Sequence, residues 1–591
     1  MNDESFDAVI IGSGFGGSVM AYRLAEAGLR VCLLERGKAY PPFSFPRAPF
    51  KVKNNFWDPS EGLYGMYNVW SFKGSGALVS SGLGGGSLIY ANVIIRKDEH
   101  WFKEDLDDGG YENWQITRDD LEPHYDRVDK MMNVQKYPLH RPVFDEIPKT
   151  RAMQEAAEKL KQKFPNEDIR WLPLNLAVSF RQRHAGNADQ PDDVNNPPVI
   201  GEPIIEDKPN YHNKTRYTCV LCGECDFGCN TGSKNTLDYT YITAAQHQEA
   251  LIKPLCEVKS FAPRESGKGY AVTYIEHDPK KWEGQKTDTS DLKIFPRKTI
   301  ECDRLIISAG TFGSPFLLFK NREKFPNISK KLGSRFCVNG DLLSFIINSQ
   351  EKKNGKSIPR EIDPSFGPVI TSAIRLGDTL DGLGKYGRGF YVEDGGNPYL
   401  ASWGAELTGF FSLLRRSAHF AKMFFKYRLG LKLDTDLGGE IAALIGDCAT
   451  SKSSLPVLTM GRDFANGKML YDGKYLDCDW TMEKSRDYFD RVIRIVKGIA
   501  ESLDAEYMDN PSYRYFQQVI TAHPLGGCPM GRDKNEGVVD SFGEVFDYPG
   551  LYVMDGSIMP GPVGPNPSMT IAAISDRAAD HIISQHKGEK K

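Results

Sequence analysis

The chain of 591 residues has no run of 18 or more apolar residues, which argues against a membrane-spanning helix. It has no large excess of charge: 74 Lys and Arg face 78 Asp and Glu, for a net of −4. That balance does not suit a nucleic-acid surface, and no nucleic-acid partner is expected. Nothing at the start resembles a secretion signal, because Met1 to Ser5 is acidic and runs straight into an apolar stretch. The expected location is therefore the cytoplasm. In that reducing compartment, eleven cysteines point to metal or redox use for any clustered set rather than to disulfides. Internal repeats are absent as well. What remains is ordinary globular composition, 40% apolar and 26% charged. Its length suggests two to four domains or two large interleaved ones.

Residues 6 to 35 read as strand, helix, strand. Phe6 to Ile11 is an apolar strand, Gly12 to Gly17 a turn, Ser18 to Ala27 a helix stopped by Gly28, and Arg30 to Leu34 the next strand. Continuous apolar strands around a helix suit a parallel sheet covered on both faces. Gly12, Gly14 and Gly17 fit the G-x-G-x-x-G spacing, and Glu35 closes the second strand. Gly12 allows a tight turn, Gly14 lets backbone approach a pyrophosphate, and Gly17 lets helix pack on sheet. The helix N-terminus offers N–H groups to phosphates, and Glu35 suits ribose hydroxyls. The spacing alone does not separate FAD from NAD.

A second glycine turn spans Ser81 to Ser87. Residues 40 to 80 read as long loops and residues 186 to 215 as a polar surface excursion. Leu305 to Gly310 reads as a buried strand ending in small residues. Near the end come a strand at Leu551 to Met554, a turn at Asp555-Gly556-Ser557, and an amphipathic helix from Thr570 to Ile583.

Four of these segments carry a resemblance. They are Gly12-Ser13-Gly14-Phe15-Gly16-Gly17, Gly82-Leu83-Gly84-Gly85-Gly86-Ser87-Leu88, Ser308 to Pro315, and the C-terminal block. That block holds His523-Pro524-Leu525-Gly526-Gly527-Cys528, Leu551 to Ser557 and Asn566-Pro567. Together they resemble the glucose–methanol–choline (GMC) oxidoreductase family, most of all its cholesterol-oxidase-like branch. The region from about 341 to 515 matches no motif.

The resemblance implies FAD. It assigns cofactor contacts to Gly12, Gly14, Phe15, Gly17, Glu35, Gly82, Gly84, Gly85, Gly86, Ser87, Asn92, Ala309, Gly310, Asp555, Gly556 and Pro567. It implies an α/β fold (α+β) in which a Rossmann-like FAD-binding domain interleaves with a substrate domain. The first takes residues 1–100, 215–340 and 515–591. The second takes 101–214 and 341–514 and is built on an antiparallel sheet with helices, and 216–236 is a cysteine-rich segment. It also implies that His523 and Asn566 face a substrate hydroxyl. A histidine can take the O–H proton as hydride leaves for the flavin, and an amide can bind the same oxygen without competing for that proton. The helix beginning near Thr570 would aim its N-terminus at the flavin, where negative charge develops. Asp555 is expected to bind ribityl or phosphate-side groups. The glutamate that serves as base in some cholesterol oxidases matches no motif here, and none is carried over.

Cys219, Cys222, Cys225 and Cys229 are spaced C-x2-C-x2-C-x3-C, the run of bacterial ferredoxins, with Asn230 where proline usually follows. Three readings stay open: an iron–sulfur cluster ([4Fe–4S] or [3Fe–4S]), structural zinc, and free or paired thiols. A cluster would pass electrons to an acceptor protein or quinone, as in a dehydrogenase. Residues 410 to 433 mix Phe and Leu with Arg and Lys, and suit either a core helix with a basic face or a peripheral membrane contact. The substrate class expected is a bulky apolar alcohol, sterol or long-chain. The alternatives are an oxygen-using oxidase without a cluster, a flavin photoenzyme or lyase on the same scaffold, a non-catalytic electron-transfer flavoprotein, and an NAD-linked dehydrogenase.

Overall fold

The computed structural model describes residues 5–47, 49–102, 112, 114–184, 194–382, 386–397 and 449–589. The first sheet grows from strand Ser5–Ile11, whose side chains are buried on both faces from Ala8 to Ile11 except for contact with neighbouring layers. It lies parallel to Val31–Leu34 on one side and to Lys298–Ile307 on the other. Leu251–Lys253 extends one edge, and Leu551–Val553 adds a further parallel strand on Lys298–Ile307. The first half of Lys298–Ile307 instead pairs antiparallel with Tyr270–Glu276, which pairs with Cys256–Pro263. The sheet is therefore mixed, with a parallel Rossmann-like core and an antiparallel flank. Helices Phe15–Glu26, Tyr241–His247, Arg118–Met131 and Ser568–Glu589 pack in one contiguous group beside it.

The second sheet is wholly antiparallel. Its order is Glu506–Asp509, Leu342–Ile347, Leu455–Gly461, Phe390–Asp394, Ser372–Leu376, Ile169–Pro173. Helices Pro148–Lys163 and Arg486–Ser502 pack against it and each other, and their apolar side chains form a second core. Arg486–Ser502 shows why: Tyr488, Phe489, Val492, Ile495, Val496 and Ile499 recur at helical spacing and are all buried.

Helix ends differ from the sequence reading. The helix expected from Ser18 begins at Phe15, so the glycines themselves form its first turn. The last helix runs Ser568–Glu589, longer than expected. Residues 40–80 are not all loop: Tyr67–Ser71 and Ser75–Ser80 form a hairpin, joined by Val519–Thr521 in parallel. Aromatic and β-branched residues at Tyr67, Val69 and Trp70 favour strand, and the surrounding Pro and Gly masked that signal. That third strand matters below, because it ends two residues before His523. Residues 410–433, read as an amphipathic segment, lie outside the described residues. No helix among the described residues is long and apolar enough to cross a membrane.

A buried ion cluster ties three helices together. Asp576, fully buried, meets Arg127 at 2.8 Å, His124 Nδ1 at 2.6 Å, and Arg23. Asp580 takes the second nitrogen of Arg23 at 2.6 Å and of Arg127 at 2.9 Å. His124, Asp576 and Asp580 are close enough for a cation, but two guanidinium groups already supply the positive charge.

The tightest packing is between helix Phe15–Glu26 and the sheet. A Cβ on Gly16 would stand 1.7 Å from Met554 O, and one on Gly17 2.0 Å from Gly12 O. No rotamer change relieves a clash with backbone. We expect Gly16→Ala to cost at least the ~1–3 kcal/mol typical of overpacking. Denaturant unfolding at constant m-value checks this, and a variant as stable as the parent would refute it.

Candidate active site

The first glycine turn is shaped by contact on one side and open room on the other. Gly12 has φ +96°, and a Cβ there would lie 2.2 Å from Ser308 O. Gly14 has ordinary φ and nothing within 4 Å of its Cβ position. It caps the helix with no side-chain hydrogen bond, so the first N–H groups are left to a ligand or solvent. Phe15 follows, its ring set edge-on to Tyr90 at 5.7 Å. The second turn packs on the first, since a Cβ on Gly85 would meet Gly14 Cα at 2.6 Å. Gly82 packs on Gly37 by the same close backbone approach, Gly84 has φ +108°, and Gly86 faces open room. Ser87 Oγ donates to Gly84 O at 2.7 Å and accepts from Leu237 N at 3.0 Å. That bond stitches the turn to the chain just beyond the cysteine segment.

Glu35 lies at the end of its strand as expected. Its Oε2 accepts from Ser13 N (3.0 Å) and Ser13 Oγ (2.7 Å), and Oε1 from Gly37 N (2.8 Å). Burial raises its pKa, and these donors oppose the rise. Ser13, which the sequence reading did not single out, also accepts from Gly84 N at 3.0 Å and so joins the two glycine turns.

The third segment departs from expectation in one respect. Asp555 spends both oxygens inside the protein: on Gly310 N (2.9 Å) and Ser314 Oγ, and on Ser557 N (2.8 Å) and Ser557 Oγ. Four protein donors leave it little capacity for ribityl or phosphate hydroxyls. Its contribution is to hold Ala309, Gly310 and Gly556 in place. Ala309 N donates to Ser314 Oγ at 3.0 Å, and Gly310 (φ +82°) faces open room. Gly556 O accepts from Gly526 N at 3.0 Å, which brings the Asp555 turn to the His523 segment.

Buried polar atoms without partners mark where a ligand would be read. Among the described residues, the buried side-chain polar atoms without a partner include Asn92 Oδ1, Asn566 Oδ1, Glu393 Oε1 and Ser568 Oγ. Such atoms cost free energy unless something completes them. Asn92 (φ +71°) follows the second glycine turn, and Ser568 follows Pro567 at the start of the last helix. Open room at Gly14, Gly86 and Gly310 together with these orphaned amide and hydroxyl groups fits the FAD that the resemblance implies.

His523 is held by a residue the sequence did not reveal. Its Nδ1 lies 2.9 Å from Asp341 Oδ1. Asp341 Oδ2 accepts from Thr521 Oγ1 (2.8 Å), Ala522 N (2.8 Å) and His523 N (3.1 Å). A carboxylate offers only acceptors here, so Nδ1 carries the proton and Nε2 presents a lone pair. Asp341 is fully buried, whereas the His523 side chain is 16% exposed.

Asn566 meets a second unforeseen residue. Its Nδ2 reaches Glu393 Oε2 at 3.5 Å. Glu393 is fully buried on strand Phe390–Asp394, and burial, then the charges of Asp394, Asp341 and Asp226, push its pKa well above the usual carboxylate range. The charge of Asp341, which holds His523, thus reaches Glu393, so the two pairs share one region. No motif in the sequence singled out this glutamate. A run of apolar strand residues, Phe390-Tyr391-Val392, ending in two buried acids was the available signal. Asp226, within the cysteine segment, is drawn into the same region: burial pushes it up to about 6, opposed by Lys234, Lys149 and His523.

Cys219, Cys222, Cys225 and Cys229 line one cavity with Thr231, Ser233 and Lys234. Residues Leu221, Gly223 and Gly228, all with positive φ, bend the loop around it. Burial raises Cys219 and Cys225 and pushes Cys222 up to about 12. Cys229 differs: burial opposes ionisation, but Thr231, Lys234 and Ser233 bring its pKa below the ordinary value. Cys225 Sγ accepts from Asn92 Nδ2 at 3.0 Å, and Lys234 Nζ joins Cys225 O to Leu88 O, each at 2.8 Å. The cysteine loop is thereby fastened to the second glycine segment.

Comparison with known proteins agrees with this layout. Residues 465–575 match the family described as GMC oxidoreductase, and residues 10–39 match an NAD(P)-binding Rossmann-like domain. The chain is 28% identical over 611 residues to a cholesterol oxidase of Mycobacterium tuberculosis, covering 99% of this chain and 92% of that one. It is 22% identical to a long-chain-alcohol oxidase of Arabidopsis thaliana, covering 99% and 68%. Among solved structures, formate oxidase of Aspergillus oryzae RIB40 shares the fold with a TM-score of 0.59 at 14% identity, over 100% of both chains.

The open room at Gly14 yields a contrast with Gly16. Gly14→Ala meets no neighbour, so the apoprotein should unfold within about 1 kcal/mol of the parent, the usual cost of Ala against Gly. The added methyl points where a pyrophosphate would approach, so the purified variant should retain less FAD per protein. Full FAD retention would remove Gly14 from the site.

Proposed function

On the premise that this chain belongs to the GMC oxidoreductase family, on its cholesterol-oxidase-like side, we propose that it oxidises the CH–OH group of a bulky apolar alcohol, a sterol or a long-chain alcohol. The observation that carries the reading is the pairing around His523. Asp341 holds its Nδ1 and leaves Nε2 free, and the charge of the same Asp341 reaches Glu393, the partner of Asn566. An alcohol O–H aimed at Nε2 can give it a proton as the carbinol C–H breaks. Asn566 Oδ1 and the Glu393 carboxyl can each hydrogen-bond the same hydroxyl and fix its oxygen. Bound FAD would supply the acceptor for the electron pair of the C–H bond. The N-terminus of helix Ser568–Glu589 contributes partial positive charge beside Asn566.

The proposal extends to the cysteines. Cys219, Cys222, Cys225 and Cys229 would hold an iron–sulfur cluster that hands electrons to an acceptor protein or quinone. Supporting it are the spacing, the shared cavity, and the bond from Asn92 to Cys225. The relatives' names favour the second reading, an oxygen-using oxidase without a cluster. Residues 410–433 would provide the peripheral membrane contact from which an apolar alcohol enters.

Two measurements test this. An anaerobic visible spectrum with iron and acid-labile sulfide assayed on the same sample separates the branches. Flavin bands with stoichiometric iron and sulfide support the cluster, and flavin bands without iron favour the oxidase. His523→Ala should keep FAD and lose about 10²–10⁴-fold in kcat with cholesterol or 1-hexadecanol, the usual contribution of a general base. Unchanged turnover would end the proposal.

A further inference from the structure

Asn566 sits in a stretch that cannot set its own shape. Met559 to Pro567 contains Pro560, Pro562, Pro565 and Pro567, which have no N–H, and none of it is helix or strand. Its conformation must come from elsewhere. Asn339, fully buried, supplies it. Its Oδ1 accepts from Gly564 N at 2.9 Å, and its Nδ2 donates to Gly564 O at 3.3 Å and Pro565 O at 3.2 Å. One side chain thus grips the two residues before Asn566. Two positions further on, Asp341 takes the backbone and imidazole of His523.

The turn that carries both side chains is itself rigidly held. Asp341 N donates to Val338 O, and Gly461 N to Asn339 O. Asp463, buried, accepts from Val338 N at 3.0 Å and Gly340 N at 2.9 Å. Tyr488 Oη donates to Gly340 O at 2.9 Å, and a Cβ on Gly340 would stand 2.2 Å from that oxygen. His523 and Asn566 are 43 positions apart on separate segments, and both are fastened to this one turn.

We propose that the turn Val338–Asp341 is the positioning element that sets His523 and Asn566 relative to each other, with Asp341 and Asn339 as positioning residues. This rests on the reading that both groups face the alcohol. Reacting groups misplaced by about 1 Å lose on the order of 10²-fold in rate, so a shared mount has kinetic weight.

Asp341→Asn gives a sharp test. Three donors converge on the Oδ2 position, so the new amide must place its oxygen there and turn its NH₂ toward His523 Nδ1. Nδ1 then accepts, and the proton moves to Nε2, the atom that must receive the alcohol proton. Histidine ¹⁵N NMR, with the His523 signals assigned by their loss in His523→Gln, should show Nδ1–H in the parent and Nε2–H in Asp341→Asn. An unchanged tautomer would overturn the role of Asp341, whatever the substrate. In turnover of 1-hexadecanol, Asp341→Asn should lower kcat about 10³–10⁴-fold, as a wrong tautomer does in other enzymes. KM and FAD content should hold. Asn339→Gly keeps the positive φ of +53° unstrained and removes only the grip. It should lower kcat about 10–10²-fold with FAD retained. Because both act through one turn, the double variant should fall well short of the product of the two losses. A full product, or an Asn339→Gly variant with parental kcat, would refute a shared mount. If the parent turns over no alcohol, the functional reading has failed, and the tautomer result still stands by itself.

Discussion

Backbone meeting backbone, with no side chain between, is the constraint from which this architecture follows. At Gly12, Gly16 and Gly17 the first helix turn lies against Ser308, Met554 and Gly12 itself at distances that exclude even a methyl group. At Gly85 the second glycine turn lies on the first in the same manner. These approaches bring four distant parts of the chain to one helix N-terminus. Open room at Gly14, Gly86 and Gly310 is what that approach leaves over. Both the closeness and the opening come from the absence of Cβ atoms, and they serve different ends.

The region around His523 depends on charge held without water. Asp341, Glu393, Asp394 and Asp463 are all buried, yet each has a different set of partners. Asp341 and Asp463 receive several backbone donors, as a buried carboxylate requires. Asp394 has Thr371 and Ser372 donors and Lys149 3.9 Å away. Glu393 has one long contact and an oxygen with none, and burial pushes its pKa well above the usual carboxylate range. Burial thus raises both of these adjacent residues on one strand, although Asp394 has several donors opposing the rise and Glu393 has one. Partners split the cysteines: burial raises all four, and Thr231, Ser233 and Lys234 bring Cys229 alone below its ordinary value.

Legibility in the sequence followed the range of the interaction. The glycine turns, Glu35 and the cysteine spacing are local patterns, and the helix and strands around them were readable to within a few residues. His523 and Asn566 were found through resemblance rather than from any periodicity. Asp341, Asn339 and Asp463 were not found, because nothing local distinguishes them, and Glu393 had only the weak signal of an apolar run ending in two acids. Their meaning arises only when Leu342–Ile347 and Phe390–Asp394 pair with Leu455–Gly461 and bring their ends to the C-terminal block. At Asp555 a local motif gave the position but not the partners, which are Gly310, Ser314 and Ser557.

The parallel strand Leu551–Val553 pairs with Leu305 to Ile307 in the first sheet, and Val519–Thr521 completes the hairpin at residues 67–80. The N-terminal layer is therefore unfinished until nearly the whole chain exists. During synthesis at about 5–20 residues per second, the edge of Lys298–Ile307 would stay unpaired for more than ten seconds after emerging. Contacts of such long sequence separation also slow folding itself. Exposed strand edges invite pairing with other chains, so this molecule's vulnerability lies in its biogenesis. Loss of even the last forty residues would leave an apolar strand edge and the helix Phe15–Glu26 uncovered.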